Sequence, residues 1–434
     1  MVMRRPPSAR ALSLGVVLCT GLLGGFLTSK PTRAGDTAAG PRTVRIVPLE
    51  GTPLEGAFLG IDAKGLRIEG REAPLALDSI LEVRFAPDVP VAPLPEGTAG
   101  VRAVLRGGEI LRGVPDSGDA EALALRTVGL GTLKIPFDAI LRVEAESSAR
   151  GPCDDPTRER PPRKGADLAY AKSGDAFPGT LLAADATGLT LESGHDKADK
   201  HALKWADLVL LQLDESALPA AEGLVVEVDT LGGSRLVTTA ITADAAALTL
   251  KTRSGIAVSV PLEAITVLRF AGGRFVYASD LPFTSVYTHY YGDNLEEKAY
   301  HEAFYGARVD RTSHDCPLRV LGTTYRHGIA VHAKSVVTVP LGKGFSTFHA
   351  LIGIDDEAMA KSAPTHGDVT ARVLADGKEA WSSAGSIVGG VAPKRIGPLD
   401  VTGVTSLVLE VDFGGDLYRM DRADWLDPVL VRAK

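Results

Sequence analysis

Four stretches of this 434-residue chain end alike, and that internal repeat constrains the fold more than any other feature. The endings are Leu77-Asp78-Ser79-Ile80-Leu81-Glu82-Val83-Arg84-Phe85, Phe137-Asp138-Ala139-Ile140-Leu141-Arg142-Val143, Trp205-Ala206-Asp207-Leu208-Val209-Leu210-Leu211-Gln212-Leu213 and Leu262-Glu263-Ala264-Ile265-Thr266-Val267-Leu268-Arg269-Phe270. Their anchors Ile80, Ile140, Leu208 and Ile265 recur about every sixty positions, as one supersecondary unit used four times would. Upstream of each ending lie short alternating apolar runs bounded by Gly, Asp and Pro. In the first copy these are Val44 to Val47, Leu54 to Ile61 around Gly56, and Gly65 to Ile68; Gly113 and Gly179 match Gly56 in the next two, and the fourth has Thr239 there. The alternation predicts short antiparallel strands. Four or five strands in about 45 residues suit a small, bent β-barrel of the SH3-like or Sm-like kind, in which closure removes exposed edges.

The predicted units are 43–86, 101–146, 166–214 and 224–271, a string of barrels that could pack in pairs. Between them, Pro87 to Gly97 and the charged, proline-rich stretch 147–165 read as extended spacers. The repeats lack any aromatic or basic cluster. They therefore read as spacers or protein-contact modules, with envelope proteins as the expected partners, and Trp205 reads as core.

At the N-terminus, Arg4 and Arg5 precede an apolar run from Ala11 to Leu27 that is interrupted by Gly15, Gly21, Gly24 and Gly25. Residues 1–34 thus read as a signal peptide with cleavage near Ala34, an uncleaved anchor being the rival, and a secreted or periplasmic, cell-envelope protein is expected. Beyond that segment the cysteines are Cys153 and Cys316, which have no zinc-site neighbours; they read as two free thiols, with pairing in an oxidising compartment as the alternative. The apolar fraction of 45% and charged fraction of 23% are those of soluble globular domains. A net charge of −7 with scattered Lys and Arg excludes a nucleic-acid partner, which would require a basic stripe.

The composition changes from Val286 onward, where seven of the nine histidines and two of the three tryptophans fall. Short runs at Val336–Val339, Phe348–Ile352, Val369–Val373, Ile396–Leu399, Leu407–Val411 and Val429–Val431 predict a β-sandwich over 285–434. Asp376-Gly377 reads as a hairpin turn and Ile354 to Lys361 as one helical turn, and no long amphipathic helix is expected. The whole chain is thus expected to be all-β: tandem small β-barrels followed by a C-terminal jelly-roll sandwich.

Several motifs follow one another in this region: Asp310-Arg311-Thr312-Ser313, Pro317-Leu318, Gly322 to Ala333, Ser335 with Leu341, Phe348 to Asp356, Asp376-Gly377, Val401 to Leu409, and Asp421-Arg422-Ala423-Asp424-Trp425. In order and content they resemble the NPCBM family, carbohydrate-binding modules found beside glycoside hydrolases and related to galactose-binding-like sandwiches. The resemblance implies a glycan ligand and a non-catalytic role. Two segments stand apart from it: Ser285 to Val309, with Tyr287, Tyr290, Tyr291, Tyr300 and Tyr305, reads as an insertion or leader, and His366, Tyr418 and Met420 depart from the family pattern.

Sugar recognition needs flat aromatic faces and charged or amide groups for the hydroxyls. Tyr325, His332, Asp355, Asp356, Asp424 and Trp425 are the candidates, although Trp425 and His332 also suit core positions and Asp424 a turn. Sandwich modules of this kind often hold a structural calcium, for which Asp355, Asp356, Asp416 and Asp421 could supply oxygens, and no EF-hand spacing is present. His327 and His332, five apart, give poor support for a transition-metal site. No catalytic residue is expected. The chain has no GxSxG elbow, no (β/α)₈ pattern and no glycine-rich phosphate loop before a helix. Glycan binding is the leading expectation, a docking component of the envelope without sugar binding is the alternative, and hidden hydrolase activity is the weakest.

Overall fold

The computed structural model describes residues 42–433 apart from 86–89, 147–164, 194–198, 293–294, 360–365 and 416. The signal segment and most of the 147–165 linker lie outside these residues. Each repeat ending folds as one 3-10 turn feeding a strand: Leu77–Ser79 into Ile80–Arg84, Phe137–Ala139 into Ile140–Ala145, Trp205–Asp207 into Leu208–Gln212, and Leu262–Ala264 into Ile265–Ala271. In the second repeat, Val101–Leu105, Ile110–Gly118, Ala122–Thr127 and Gly131–Pro136 form an antiparallel meander, and Ile140–Ala145 returns to pair with Val101–Leu105. The first repeat keeps this plan but reduces its fourth strand to a bridge between Leu66 and Leu75.

Closure into barrels is not observed: among the described residues no ladder joins the fourth strand of a repeat to its last. The edges are instead covered by neighbouring repeats. The last strand of the first repeat pairs with that of the fourth, Val83 opposite Leu268, and the last strand of the second pairs with that of the third, Val143 opposite Leu211. Both ladders centre on equivalent positions of the repeat, so each pair is related by a local two-fold. The result is nested, first with fourth and second with third, rather than a string. One apolar core runs through all four repeats, from Ile46, Phe58 and Val83 through Leu123 and Ile140 to Leu211, Leu268 and Phe270. This sharing covers the outer edge of each last strand, while the fourth strands Gly131–Pro136, Lys200–Lys204 and Ala257–Pro261 each pair on one side.

The repeat glycine has a steric cause. A Cβ at Gly179 would lie 2.1 Å from Glu192 O, so the hairpin can approach this closely only without a side chain. The registers Val44 with Gly56, Val101 with Gly113, Asp167 with Gly179 and Val226 with Thr238 place Thr238, not Thr239, at this position in the fourth repeat. There the strand breaks into Arg235–Thr238 and Ile241–Ala243, and Thr238 Oγ1 lies 2.7 Å from Lys251 O and 2.9 Å from Ala240 O.

The C-terminal region is a sandwich of two six-stranded sheets. The first runs Arg308–Val309, Gly328–His332, Arg422–Arg432, Phe345–Ile354, Lys394–Asp400, with Phe275–Tyr277 on the far end of Arg422–Arg432. The second runs Thr284–Tyr287, Ser335–Pro340, Ser406–Phe413, Asp368–Ala375, Lys378–Ser382, with Ile387–Val388 beside Asp368–Ala375. Ile329, Phe348, Ile352 and Trp425 of one sheet meet Val337, Val373, Leu407 and Leu409 of the other in the core. Asp376-Gly377 forms the expected two-residue hairpin turn, with φ of 46° and 78°. Ile354 to Lys361 yields the 3-10 turn Asp356–Met359. One element was not expected: the tyrosine-rich segment contains an α-helix, α1, Leu295–Tyr305. Among the described residues no helix is long and apolar enough to cross a membrane. Cys316 is buried and disulfide-bonded, which corrects the reading as a free thiol; Cys153 lies outside the described residues.

Repeats and sandwich are in contact. Val429 and Val431 of the last strand join the core of the repeats, and the Arg326 guanidinium reaches both carboxylate oxygens of Asp229 at 2.7 and 2.8 Å.

Candidate functional site

Successive side chains of a strand leave opposite faces, and this sorts the sequence candidates. On Arg422–Arg432, Trp425 points into the sandwich and is fully buried, whereas Asp424 lies on the outer face of its sheet, where it lines a small pocket. Cross-strand pairing sets His332 opposite Arg422 and Ala330 opposite Asp424, so His332, Ala330, Asp424 and Arg422 share that outer face. Tyr305 at the end of α1, Arg308, Thr312 and Asp355 complete the lining of a cavity of about 20 Å³.

The pocket holds polar groups with little solvent. Burial, and then the neighbouring Asp355 carboxylate, raise the Asp424 carboxyl well above the usual range, and burial raises Asp355 too. Two carboxyls so placed cannot both ionise. A protonated Asp424 can donate to Asp355, which also accepts backbone N–H bonds from Arg319 at 2.9 Å and Glu357 at 2.8 Å, while Asp424 Oδ2 has no hydrogen-bond partner among the described residues. His332 is pushed down to about 4 by burial, so its imidazole is neutral near pH 7. Its Nδ1 lies 2.8 Å from Ala333 O and must donate there, which leaves Nε2 as an acceptor. At the mouth Glu357 gathers Thr312 Oγ1 at 2.6 Å, His314 Nδ1 at 3.0 Å and Arg422 Nη1 at 3.1 Å.

Around this pocket the rings form a continuous chain. Tyr305 lies 4.5 Å from His332 between ring centroids, Tyr287 stacks on Tyr305 at 5.2 Å, and His301 lies 6.0 Å from Tyr305 and stacks on His289 at 4.1 Å. His289 meets Tyr418 at 5.3 Å, and Tyr418 meets Tyr290 and Tyr291 at 5.7 and 5.5 Å. The chain runs from a buried histidine to open solvent: Tyr291 is 71% and Tyr300 67% exposed.

Of the six sequence candidates, His332, Asp355 and Asp424 come together. Trp425 is a core residue whose indole N–H finds no acceptor among the described residues. Asp356 accepts the N–H groups of Leu321 and Gly322 at 2.8 and 2.9 Å and so anchors a turn. Tyr325 packs beside Leu318, Val320 and Leu426 on the Leu318–Val320 and Thr323–Tyr325 hairpin. Sequence reasoning did not assign Tyr305, Arg422, Glu357, His314 or the exposed tyrosines; five tyrosines between Ser285 and Val309 were the available signal. Asp355 and Asp356 spend their oxygens on backbone N–H groups, Asp421 Oδ1 accepts from Asp368 N at 3.0 Å, and Asp416 lies outside the described residues. Among the described residues, Asp355, Asp356 and Asp421 do not gather as a three-ligand group.

The fold and this site define a β-sandwich module with a polar pocket and an aromatic rim. Residues 275–431 match the family described as the NPCBM/NEW2 domain, a carbohydrate-binding module family. The match opens before position 285 because Phe275–Tyr277 already pairs with the last sandwich strand. The alpha-1,3-galactosidase B of Akkermansia muciniphila is 32% identical over 123 residues, 28% of this chain, and the chain spans 15% of that protein's length. Among solved structures, a CBM51 module of Clostridium perfringens GH95 in complex with methyl-galactose is similar at 22% identity, covering 36% of this chain and 99% of that one, with a TM-score of 0.29. The tandem CBM51 modules of a family 98 glycoside hydrolase from Streptococcus pneumoniae are similar at 11% identity, covering 77% and 88%, with a TM-score of 0.29.

Proposed function

We propose that this chain is an exported, non-catalytic carbohydrate-binding protein that reads an extracellular or cell-envelope glycan at the outer face of its sandwich, with the repeats as spacer and protein-contact block. The observation that carries this reading is the joining of a buried polar pocket to exposed aromatic rings. His332 and Arg422 offer donors and acceptors for hydroxyls, and Tyr290, Tyr291, Tyr300 and Tyr418 offer flat faces for a pyranose. A cavity of about 20 Å³ admits one hydroxyl or water and not a ring, so the sugar lies on the rim. A single shallow site of this kind binds with millimolar to micromolar affinity.

The raised carboxyls Asp355 and Asp424 invite a hydrolase reading. Their geometry argues against it, because they pair with each other inside the protein and do not flank a space for a scissile bond. The test is a glycan array with the full chain and with Tyr291→Ala and Tyr300→Ala, whose exposed side chains contribute little to folding. Specific binding to the wild type that falls at least about tenfold in these variants supports the reading. Absence of any glycan binding by the folded chain moves the weight to the docking role.

A further inference from the structure

Where the repeats meet the sandwich, three side chains from distant parts of the chain converge. Asp280 ends the 3-10 turn Ala278–Asp280 that carries the chain from Phe275–Tyr277 into the sandwich; Asp310 follows Arg308–Val309 with a φ of 58°; His327 immediately precedes Gly328–His332. His327 Nδ1 lies 3.9 Å from Asp280 Oδ1 and 3.9 Å from Asp310 Oδ2, and the three atoms all lie within 4.8 Å of one another. These separations are too long for hydrogen bonds. Nδ1 is shielded from solvent and has no hydrogen-bond partner among the described residues.

The three groups are held from behind, as metal ligands are. The His327 ring stacks on Tyr277 at 3.8 Å with an interplanar angle of 5°, and its carbonyl accepts the Asp427 N–H at 2.8 Å. Asp310 Oδ1 accepts the Gly328 N–H at 2.8 Å, which leaves Oδ2 turned to the imidazole. The Asp280 side chain is 49% exposed and gives a route from solvent. The nearby Arg326 is committed to Asp229 and leaves this cluster without that cation.

We propose that Asp280, Asp310 and His327 form a divalent transition-metal site, with zinc as the best-matched ion, that pins the connector between repeats and sandwich. One imidazole nitrogen and two carboxylate oxygens are a zinc-type donor set, whereas calcium takes six to eight oxygens. With two separations of 3.9 Å and the third within 4.8 Å, an ion central to the three atoms sits roughly 2.3 to 2.5 Å from each, so the side chains need close by only a few tenths of an ångström to reach zinc distances. Solvent fills the remaining position from the Asp280 side. Histidine spacing along the sequence does not reveal such a site, because its ligands come from three segments.

The experiment uses the full chain, stripped with a chelator and titrated with Zn²⁺ by calorimetry and with Co²⁺ by visible absorption. One ion per chain and a rise in the thermal midpoint are expected. Asp280→Asn, nearly isosteric and half exposed, is expected to weaken binding at least about tenfold and to abolish the rise. Asp356→Asn, whose carboxylate accepts the Leu321 and Gly322 N–H groups and is not part of the cluster, is expected to bind as the wild type does. Absence of stoichiometric binding to the wild type, or wild-type affinity in Asp280→Asn, overturns the proposal.

Discussion

The repeats and the sandwich use aromatic and charged side chains in opposite ways. In the repeats Phe58, Phe85, Trp205 and Phe270 are all buried, and Trp205 satisfies its indole N–H on Asp185 O at 2.7 Å. In the sandwich, Tyr290, Tyr291 and Tyr300 are exposed beside a pocket. Charge follows the same division. Burial would raise Asp229 of the fourth repeat, but the guanidiniums of Arg326 and Arg269 outweigh it and hold the carboxyl below its usual range. Asp424 of the sandwich is raised by burial and has another carboxyl as its neighbour. In the fourth repeat a buried carboxylate is thus compensated by two guanidiniums, which favours the folded state. The sandwich instead keeps a neutral, buried acid and exposed rings beside one pocket.

The strongest way to break this contrast is Asp229→Ala. It removes the partner of Arg326 and one of the two partners of Arg269, which keeps Glu82, and is expected to cost about 3 kcal/mol, measured by denaturant unfolding, and to let the repeats and the sandwich unfold in separate calorimetric transitions. An unchanged midpoint would mean that the junction is not held by charge. Next in size is a pH effect. Because the folded value of Asp424 is raised, its neutral form contributes stability in full at acid pH, below the unfolded value near 3.8, and that contribution is lost as pH rises through the folded value. Asp424→Asn keeps a neutral donor toward Asp355, so its urea midpoint is expected to decline less with rising pH than that of the wild type; identical slopes would show that folding does not raise the Asp424 carboxyl. The smallest effect is expected from Trp205→Phe, which removes one hydrogen bond in the third repeat. It should cost about 1 kcal/mol and leave glycan affinity unchanged. A loss of glycan binding there would put part of the site in the repeats.

Much of the fold is legible in local pattern. The repeat endings become a 3-10 turn and strand four times over, and the six runs read as strands in the sandwich all lie in strands. The helix α1 escaped because its residues, with Glu297, Lys298, Ala299 and Tyr300 exposed, carry no apolar stripe to mark it. The site was half legible. Asp424 and Trp425 are adjacent and equally conspicuous in sequence, yet the strand turns one to the pocket and the other to the core.

By itself the sequence determined the strands, the four repeats, the sandwich and its family resemblance, because alternation, turn residues and repeated motifs are properties of neighbouring positions. Tertiary structure alone decided that open repeats close on one another in nested pairs, that α1 and the loop at Tyr418 set their rings around His332, and that Asp280, Asp310 and His327 meet. These outcomes depend on which strand edges and faces find each other across hundreds of residues, and packing, not local pattern, makes that choice.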